Sequence, residues 1–253
     1  MITDTFDNQS PAIINPTVNP NAPRVDACIL TFSHQIEAYV LAHYECEQVG
    51  VFACATDSRS LYRIRDGEKT FGFCKSYIGA PVCVGLVEES LNYINTKKYI
   101  LFGGAGCLNK EIAHGRVMVP TEAYRDEGTS YHYASPADYI AVRNAGIVAD
   151  CMEKSRIPFV RGRTWTTDSF YRETVNNFEK HKADGCISVE MECAAMQAMC
   201  NFRGLELYAF FTSGDLLDAP EWDMRCQERE VKGTQHDPGH FRIALELARY
   251  VSG

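Results

Sequence analysis

Residues 188–196 read Ser-Val-Glu-Met-Glu-Cys-Ala-Ala-Met and bring two carboxylates to the point where an apolar segment passes into a helix of small residues. Helical periodicity continues to Phe202, and Gly204 is well placed to end the helix in a left-handed conformation. We therefore predict that Glu190 and Glu192 lie in the first helical turn, where exposed backbone N–H groups and the helix dipole favour negative charge.

The two acids have a plain alternative role as solvated caps. Against it, the Cys-Ala-Ala-Met that follows Glu192 has almost nothing polar to face water, which indicates a helix packed inside the protein. Full helical geometry would turn residues two apart to nearly opposite sides. A shared site for Glu190 and Glu192 therefore requires an irregular first turn.

Composition excludes several classes of protein. The 253-residue chain has a formal net charge of −8, which argues against a broad basic surface for binding nucleic acid. No stretch approaches about 18 uninterrupted apolar residues, and the N-terminus lacks a basic region followed by an apolar one. We therefore expect a cytoplasmic protein that binds neither nucleic acid nor membrane.

Cysteine and histidine usage argues against both disulfides and metal. The eleven cysteines include no Cys-x-x-Cys pair and are spread through apolar stretches, which predicts reduced, buried thiols. His236 and His240 have the spacing of helical metal ligands, but Pro238 and Gly239 between them favour a turn. We predict no metal site.

Along the chain, residues 1–24 are rich in Asn and Pro and predict an extended N-terminal arm, and residues 25–253 predict a single catalytic domain. Strands and helices alternate through that domain, which indicates a parallel or mixed sheet covered on both faces. The predicted strands are Val25–Phe32, Val49–Ala55, Tyr99–Phe102, a segment near Phe159 and Leu205–Phe211, with a hairpin-like region over Leu61–Ile78. The predicted helices are those ending near Tyr44, at Pro81–Asn95, Ala137–Glu153, Thr174–His181, the Glu-Met-Glu helix and His240–Val251.

The Glu-Met-Glu stretch resembles the signature of the nucleoside phosphorylase and nucleosidase superfamily, which contains purine nucleoside phosphorylase, uridine phosphorylase and methylthioadenosine nucleosidase. Three other segments look like its landmarks and follow in the family's order: Thr121–Tyr133, Gly162–Tyr171 and Phe210–Asp215. The resemblance covers roughly residues 25 to 250. It implies a phosphorylase-type three-layer α/β/α sandwich with a mixed central sheet.

The resemblance also implies roles for the sugar-binding residues. Glu192 would accept hydrogen bonds from the ribose 2′- and 3′-hydroxyls, Met191 would pack under the sugar, and Glu190 would support the same edge. Gly103 and Gly104 would let the backbone approach phosphate and ribose. A tight turn is the alternative for these glycines, and a dinucleotide site is disfavoured because Asn109 replaces the third glycine.

For the base, the resemblance implies that Trp165 supplies an aromatic face and that Asp215 donates a proton or a hydrogen bond to purine N7. Ordinary core packing is the alternative for Trp165, and an Asx turn or helix cap is the alternative for Asp215.

The chain departs from the family at the arginines that clamp phosphate. Leu101 and Phe102 stand before the glycines, and Thr31–Glu37 lacks the usual glycine and arginine. Replacement charge would come from Arg59, Arg63, Arg65 or Arg125, among which the sequence does not choose.

We therefore predict a nucleoside phosphorylase acting on a nucleoside, with purine favoured by Asp215, with phosphate as co-substrate and with no organic cofactor. A nucleosidase that uses water, with Glu37 or Glu190 as base, is the first alternative, and a catalytically silent nucleoside sensor is the second. By family analogy the protein is expected to form a homodimer or a higher homo-oligomer.

Overall fold

The computed structural model describes residues 1–55, 57–111, 116–223 and 237–253. It confirms a mixed α/β fold, in which helices pack around one central mixed sheet. The described strands are β1 (Ala27–Thr31), β2 (Cys46–Ala53), β3 (Ser58–Asp66), β4 (Lys69–Lys75), β5 (Lys98–Cys107), β6 (Val117–Asp126), β7 (Tyr139–Ala141), β8 (Phe159–Thr167), β9 (Cys186–Glu190) and β10 (Glu206–Leu216). The described helices are α1 (His34–His43), α2 (Ala80–Ser90), α3 (Ala145–Lys154), α4 (Val175–Ala183), α5 (Cys193–Arg203) and α6 (Pro238–Val251).

Strand β5 lies at the centre of the sheet. Its first half pairs in parallel with β1, its whole length pairs in parallel with β10, and its last two residues pair antiparallel with β9. Strands β6 and β8 link β10 back to β9, so that β5, β10, β6, β8 and β9 together form a closed ring of strands. From β1 a wing of β4, β3 and β2 extends the other way.

The sequence explains the most buried elements. All five residues of β1 are buried, as expected for a central strand covered on both faces. Helix α5 buries every residue from Cys193 to Cys200 and ends at Gly204, whose φ of 68° is the predicted left-handed conformation. Of the ten described cysteines eight are buried, and all ten are free, as the composition predicts.

Strands β5 and β10 run several residues past their predicted ends, and two predicted helices are shortened. The helix predicted over Ala137–Glu153 begins only at Ala145, because Tyr139–Ala141 pairs instead with the edge of β6. The helix predicted to reach Asn95 ends at Ser90, and the backbone N–H of Asn95 donates instead to the Pro23 carbonyl at 3.0 Å. Tertiary hydrogen bonding overrides local helical pattern in both places.

The arm of residues 1–24 meets the domain near the end of α2, where the Asn19 N–H donates to the Leu91 carbonyl at 3.1 Å. None of the helices in the described ranges is long and apolar enough to cross a membrane.

Candidate active site

A cavity of about 640 Å³ opens where β1, β5, β9 and β10 end. Ligands of α/β sheets commonly bind at such strand ends. Its walls include the glycine run of β5, the Glu-Met-Glu turn and the last residues of β10. The structure therefore brings together Gly103, Gly104, Glu190–Glu192 and Asp215, all predicted from the sequence.

Glu190 is the last residue of β9, and it is buried. Its carboxylate accepts hydrogen bonds from the backbone N–H groups of Glu192 and Cys193, both at 2.7 Å, and from the Thr166 hydroxyl at 2.5 Å. It thus caps the start of α5 from outside the helix. The prediction that the acids lie in the first turn is wrong: α5 has no acid there, and Glu192 is its N-cap residue.

This local geometry removes the objection that residues two apart would diverge. Glu192 has φ −139° and ψ −28°, so the chain is not helical between the two acids. Both side chains and Met191 consequently line the same cavity.

Glu192 is held by a backbone group from a distant segment of the chain. The backbone N–H of Gly79, the residue before α2, donates to Glu192 Oε1 at 2.6 Å. Burial, followed by the charge of Glu190, raises the pKa of Glu192 to about 8, and burial raises the pKa of Glu190 to about 7. Near neutral pH the two carboxyls, which we call the inner pair, therefore retain protons that solvated acids would lose.

The glycines of β5 allow close packing around the cavity. A side chain on Gly103 would place its Cβ 2.9 Å from the Phe32 ring, and one on Gly106 would come within 2.8 Å of Val189 Cγ1. At the same edge Ser33 caps α1 by accepting from the Ile36 N–H at 3.2 Å. Helix α1 therefore begins at the cavity wall, which Ser33 also lines.

Asp215 lies on β10 just after a bulge that follows Ser213, and it pairs in register with Gly106. Its Oδ2 accepts a hydrogen bond from the Trp222 indole N–H at 2.7 Å. Burial raises its pKa. A carboxyl group that keeps its proton more readily is suited to donate to a base.

Trp165 does not line the cavity, and the predicted stacking role is not supported. The ring is 1% exposed and packs against Leu108, Cys186 and Val189, with the His181 ring centroid 4.4 Å away. Its indole N–H donates to Asp126 at 2.9 Å. Trp165 is therefore a core-packing residue, which was the alternative interpretation. Its position on β8 directs the ring into the interior of the closed ring of strands.

Sequence reasoning interpreted Phe170 and Tyr171 as packing residues and did not single out Trp222, yet all three lie at the cavity mouth. Phe170, Tyr171 and Trp222 line the cavity and are more than half exposed, which leaves aromatic faces available there. They follow strand ends in irregular segments, where no periodicity marks them.

Glu173 was missed as well. It lines the cavity beside these aromatics, and burial together with the charge of Asp215 raises its pKa to about 7. Its only signal in the sequence was an acid in the segment after Phe170 and Tyr171.

The candidate phosphate arginines are occupied elsewhere. Buried Arg125 donates to the Ser130 hydroxyl and to the carbonyls of Ala134 and Ser135, while Arg59 and Arg63 pair with Asp57 and Glu47. Arg65 is exposed and is not a lining residue. Within the described ranges the cavity lining carries four carboxyl groups and no lysine or arginine. His236, half of the rejected metal pair, lies outside the described residues.

Comparison with known proteins identifies the family of the chain. The model of the phosphorylase superfamily matches residues 27–235. A purine nucleoside phosphorylase DeoD-type from Alkaliphilus metalliredigens is 29% identical over 195 residues, which is 70% of this chain and 80% of the relative. A uridine phosphorylase from Klebsiella aerogenes is 28% identical over 193 residues, 70% of this chain and 74% of the relative.

The fold has a solved counterpart. The crystal structure of purine nucleoside phosphorylase from Toxoplasma gondii in complex with immucillin-H superimposes with a TM-score of 0.69 over 90% of each chain, at 17% sequence identity. At that identity the likeness concerns the fold.

Proposed function

The chain belongs to the phosphorylase superfamily, and we propose that it is a nucleoside phosphorylase that cleaves the N-glycosidic bond with phosphate to release a free base and a pentose 1-phosphate. The observation that carries this proposal is the turn Glu190-Met191-Glu192. It presents two buried carboxyls and a thioether to one cavity, and both carboxyls are fixed by backbone N–H groups.

Glu192 is proposed to bind the sugar. Breaking the N-glycosidic bond develops oxocarbenium character on the sugar, so fixed acceptors at its hydroxyls stabilise the transition state. Glu192 Oε1 is anchored by the Gly79 N–H, and the side chain lines the cavity, where its carboxyl is proposed to accept from the 2′- and 3′-hydroxyls. Glu190 is satisfied by Thr166 and the α5 N–H groups and therefore positions the turn.

Asp215 is proposed to act on the base. Negative charge develops on the base as the bond breaks, and a protonated carboxyl can neutralise it at purine N7. The raised pKa of Asp215 keeps that proton available closer to neutral pH. This supports a purine nucleoside as the substrate. The aromatic rings of Phe170 and Tyr171 at the mouth offer faces for the base.

Phosphate is proposed to bind at backbone N–H groups instead of arginines. The cavity wall contains Gly103 and Gly104 and, beside them, the start of α1 at Ser33. Helix N-termini and glycine-rich strand ends can both hold anions. The proposed chemistry needs no organic cofactor, since phosphate is the nucleophile and the base is the leaving group.

One observation favours a second candidate, a nucleosidase that uses water. Four carboxyls and no lysine or arginine line the cavity in the described ranges, which is a poor setting for a phosphate dianion. Glu190 would then be the general base, because Glu37, the other acid considered, pairs with Lys75 outside the cavity lining.

Product analysis distinguishes the candidates. Purified protein is incubated with adenosine, inosine and uridine in buffers with and without phosphate, and products are separated by chromatography. We expect free base and ribose 1-phosphate, at a rate that saturates with phosphate. Free ribose at equal rates in both buffers would establish the nucleosidase, and bound but unchanged nucleoside would establish a sensor. Glu192→Gln, run in parallel, shows that any cleavage arises at this site.

A further inference from the structure

Helices α2 and α5 run side by side in the same direction, with both N-termini at the cavity. At that end the Gly79 N–H, just before α2, donates to Glu192 Oε1 at 2.6 Å, and Glu192 is the N-cap residue of α5. At the other end Glu88, in the last turn of α2, pairs with Arg203, the last residue of α5. Polar contacts therefore join the two helices at both ends, and Glu192 makes one of them.

The contact at the far end engages both oxygens of one carboxylate. Glu88 Oε1 accepts from Arg203 Nε at 2.7 Å and lies 2.6 Å from Arg203 Nη2, while Glu88 Oε2 accepts from the Tyr133 hydroxyl at 2.9 Å. We call Glu88, Tyr133 and Arg203 the helix clamp. The side chains of Glu88 and Arg203 are only 14% and 24% exposed, so water screens this ion pair less than it screens a surface pair.

The clamp acts on the relative position of the two helices. At about 1.5 Å per residue, it lies on the order of 15 Å from Glu192. The buried residues between the two ends are mostly apolar, among them Val84, Val87 and the run Cys193–Cys200. Apolar contact is non-directional and permits one helix to slide along the other, whereas an ion pair with a third hydrogen bond selects one position. The clamp thereby fixes how far α2 extends towards the start of α5.

The cavity end has little capacity to compensate for a slide of α2. Gly79 has a φ of 110°, a conformation that other residues rarely adopt, and its N–H is directed at Glu192. Glu192 itself is 5% exposed. A slide of about 1 Å would lengthen this contact to about 3.6 Å, beyond hydrogen-bonding range. Misplacement of that size at a reacting group is enough to reduce a rate by orders of magnitude.

We propose that the helix clamp is a positioning cluster, which holds the Gly79 N–H and Glu192 in the one arrangement that receives the ribose hydroxyls. The three clamp residues lie outside the cavity lining and act through Glu192. The proposal rests on the function proposed above, because it presumes that Glu192 binds the sugar. It assigns a role in the reaction to an ion pair at the opposite end of the helices.

Arg203→Met tests this role, because methionine keeps an apolar chain and removes both contacts to Glu88. We measure kcat/KM on adenosine and on 2′-deoxyadenosine for the ordinary protein and the variant. We expect a loss of about tenfold on adenosine and of less than about threefold on the deoxy substrate, which lacks a hydroxyl that Glu192 is proposed to bind. A general loss of stability would not distinguish the two substrates.

Arg249→Met is the matched control. Arg249 makes a comparable ion pair, in which its Nε and Nη2 donate to Asp66 at 2.6 and 2.8 Å, but this pair joins α6 to β3. The control should leave kcat/KM on both substrates unchanged. Tyr133→Phe, which removes only the hydroxyl bond to Glu88, is a milder second variant. It should show a loss of about threefold on adenosine and little loss on the deoxy substrate, and it provides the test if Arg203→Met does not fold, which thermal unfolding shows.

The outcomes separate this proposal from the proposed function. Absence of cleavage of both substrates by the ordinary protein would overturn both proposals. Cleavage by the ordinary protein with unchanged kcat/KM in the clamp variants, with equal losses on the two substrates, or with an equal loss in Arg249→Met would overturn the clamp's role. The nucleoside phosphorylase would stand in each of those cases.

Discussion

Burial raises the pKa of both carboxyls of the inner pair, and it also raises the pKa of Glu173 and Asp215, two acids of the same cavity that we call the outer pair. The two pairs are nevertheless held in different ways. Glu190 and Glu192 are each 5% exposed and accept hydrogen bonds from backbone N–H groups at the starts of α5 and α2. Asp215 is half-buried and held by one indole, that of Trp222, which is itself 58% exposed. The inner pair is therefore fixed by the fold, whereas the outer pair can adapt to its ligand.

The difference in how the two pairs are held matches the different demands of the sugar and the base of a nucleoside. The sugar is common to all nucleosides and its transition state needs fixed acceptors, which pre-organised backbone contacts provide. The base varies, and carboxyls that are held less tightly can turn to match donors and acceptors on it. We therefore expect damage to the inner pair to be large and independent of the base, and damage to the outer pair to be smaller and dependent on it.

The largest expected effect is that of Glu192→Gln. The amide keeps the shape and the contact to Gly79, but it cannot ionise. Glu192, with its pKa raised to about 8, can still lose its proton, and the resulting carboxylate stabilises the developing positive charge of the sugar better than an amide does. We expect kcat to fall by at least about two orders of magnitude with the fold retained. Steady-state kinetics with circular dichroism checks this, with Glu179→Gln, on the exposed face of α4, as the control substitution. Near-normal turnover by folded Glu192→Gln would remove this residue from the site.

The next largest expected effect is a change in how the free energy of unfolding depends on pH when the inner pair is replaced. Burial raises the pKa of Glu190 to about 7 and that of Glu192 to about 8, above the ordinary values that they recover on unfolding. The folded state therefore binds more protons in that range, and its stability falls as pH rises through these values. Between about pH 5.5 and 8.5 the ordinary protein should lose at least about 1 kcal/mol more free energy of unfolding than the double variant Glu190→Gln/Glu192→Gln.

Urea unfolding of both proteins across that range provides the measurement. Burial lowers the pKa of His181, so its contribution to the free energy of unfolding has the opposite sign. That contribution is lost as pH falls from the unfolded pKa of His181 through its lower folded pKa. Because His181 is present in both proteins, its contribution cancels in the difference. Parallel curves would show that the inner pair does not carry the raised pKa values.

A smaller effect, and one that depends on the base, is expected from Asp215→Asn. An amide can donate a hydrogen bond to a departing purine but cannot transfer a proton, so the penalty should grow as the leaving group becomes poorer. We expect a loss of about tenfold on inosine and little loss on a nucleoside whose base leaves readily. A series of inosine analogues measures this. Uniform loss across the series would assign Asp215 to holding the loop.

The smallest effect on activity is expected from Trp165→Phe, which lies outside both pairs. The ring packs in the core, so KM should change by less than about twofold, while loss of volume and of the bond to Asp126 should cost about 1 kcal/mol of stability. Steady-state kinetics of Trp165→Phe measures the change in KM, and its thermal unfolding measures the change in stability. A tenfold rise in KM would restore the predicted stacking role.

Local signals in the sequence predicted much of the framework, and they predicted that Glu190 and Glu192 stand at the start of one buried helix. The apolar run at β1, the small-residue helix α5 and its end at Gly204 follow from burial and from the conformational freedom of glycine. The inner pair was found because two acids stood beside a run with no polar face. Its placement was wrong by part of a turn, because the capping of α5 by Glu190 is a tertiary arrangement.

The residues that we propose to contact the base could not be predicted from local sequence signals in the same way. Trp165 and Phe170 belong to one segment of chain, but the closed ring of strands takes Trp165 into the core and leaves Phe170 at the cavity mouth. The short separation of the two residues in the sequence does not show that one is buried in the core and the other lines the cavity. Glu173 and Asp215 line one cavity from segments about forty residues apart, and neither segment shows a periodic pattern.

The most direct test of the division between sugar and base is the coupling between Glu192 and the ribose 2′-hydroxyl. We measure kcat/KM of the ordinary protein and of Glu192→Gln on adenosine and on 2′-deoxyadenosine. Since Glu192 is proposed to accept from that hydroxyl, the substitution should cost at least about tenfold more on adenosine than on the deoxy substrate. Equal losses on the two substrates would contradict the account, because Glu192 would then act without contacting the sugar.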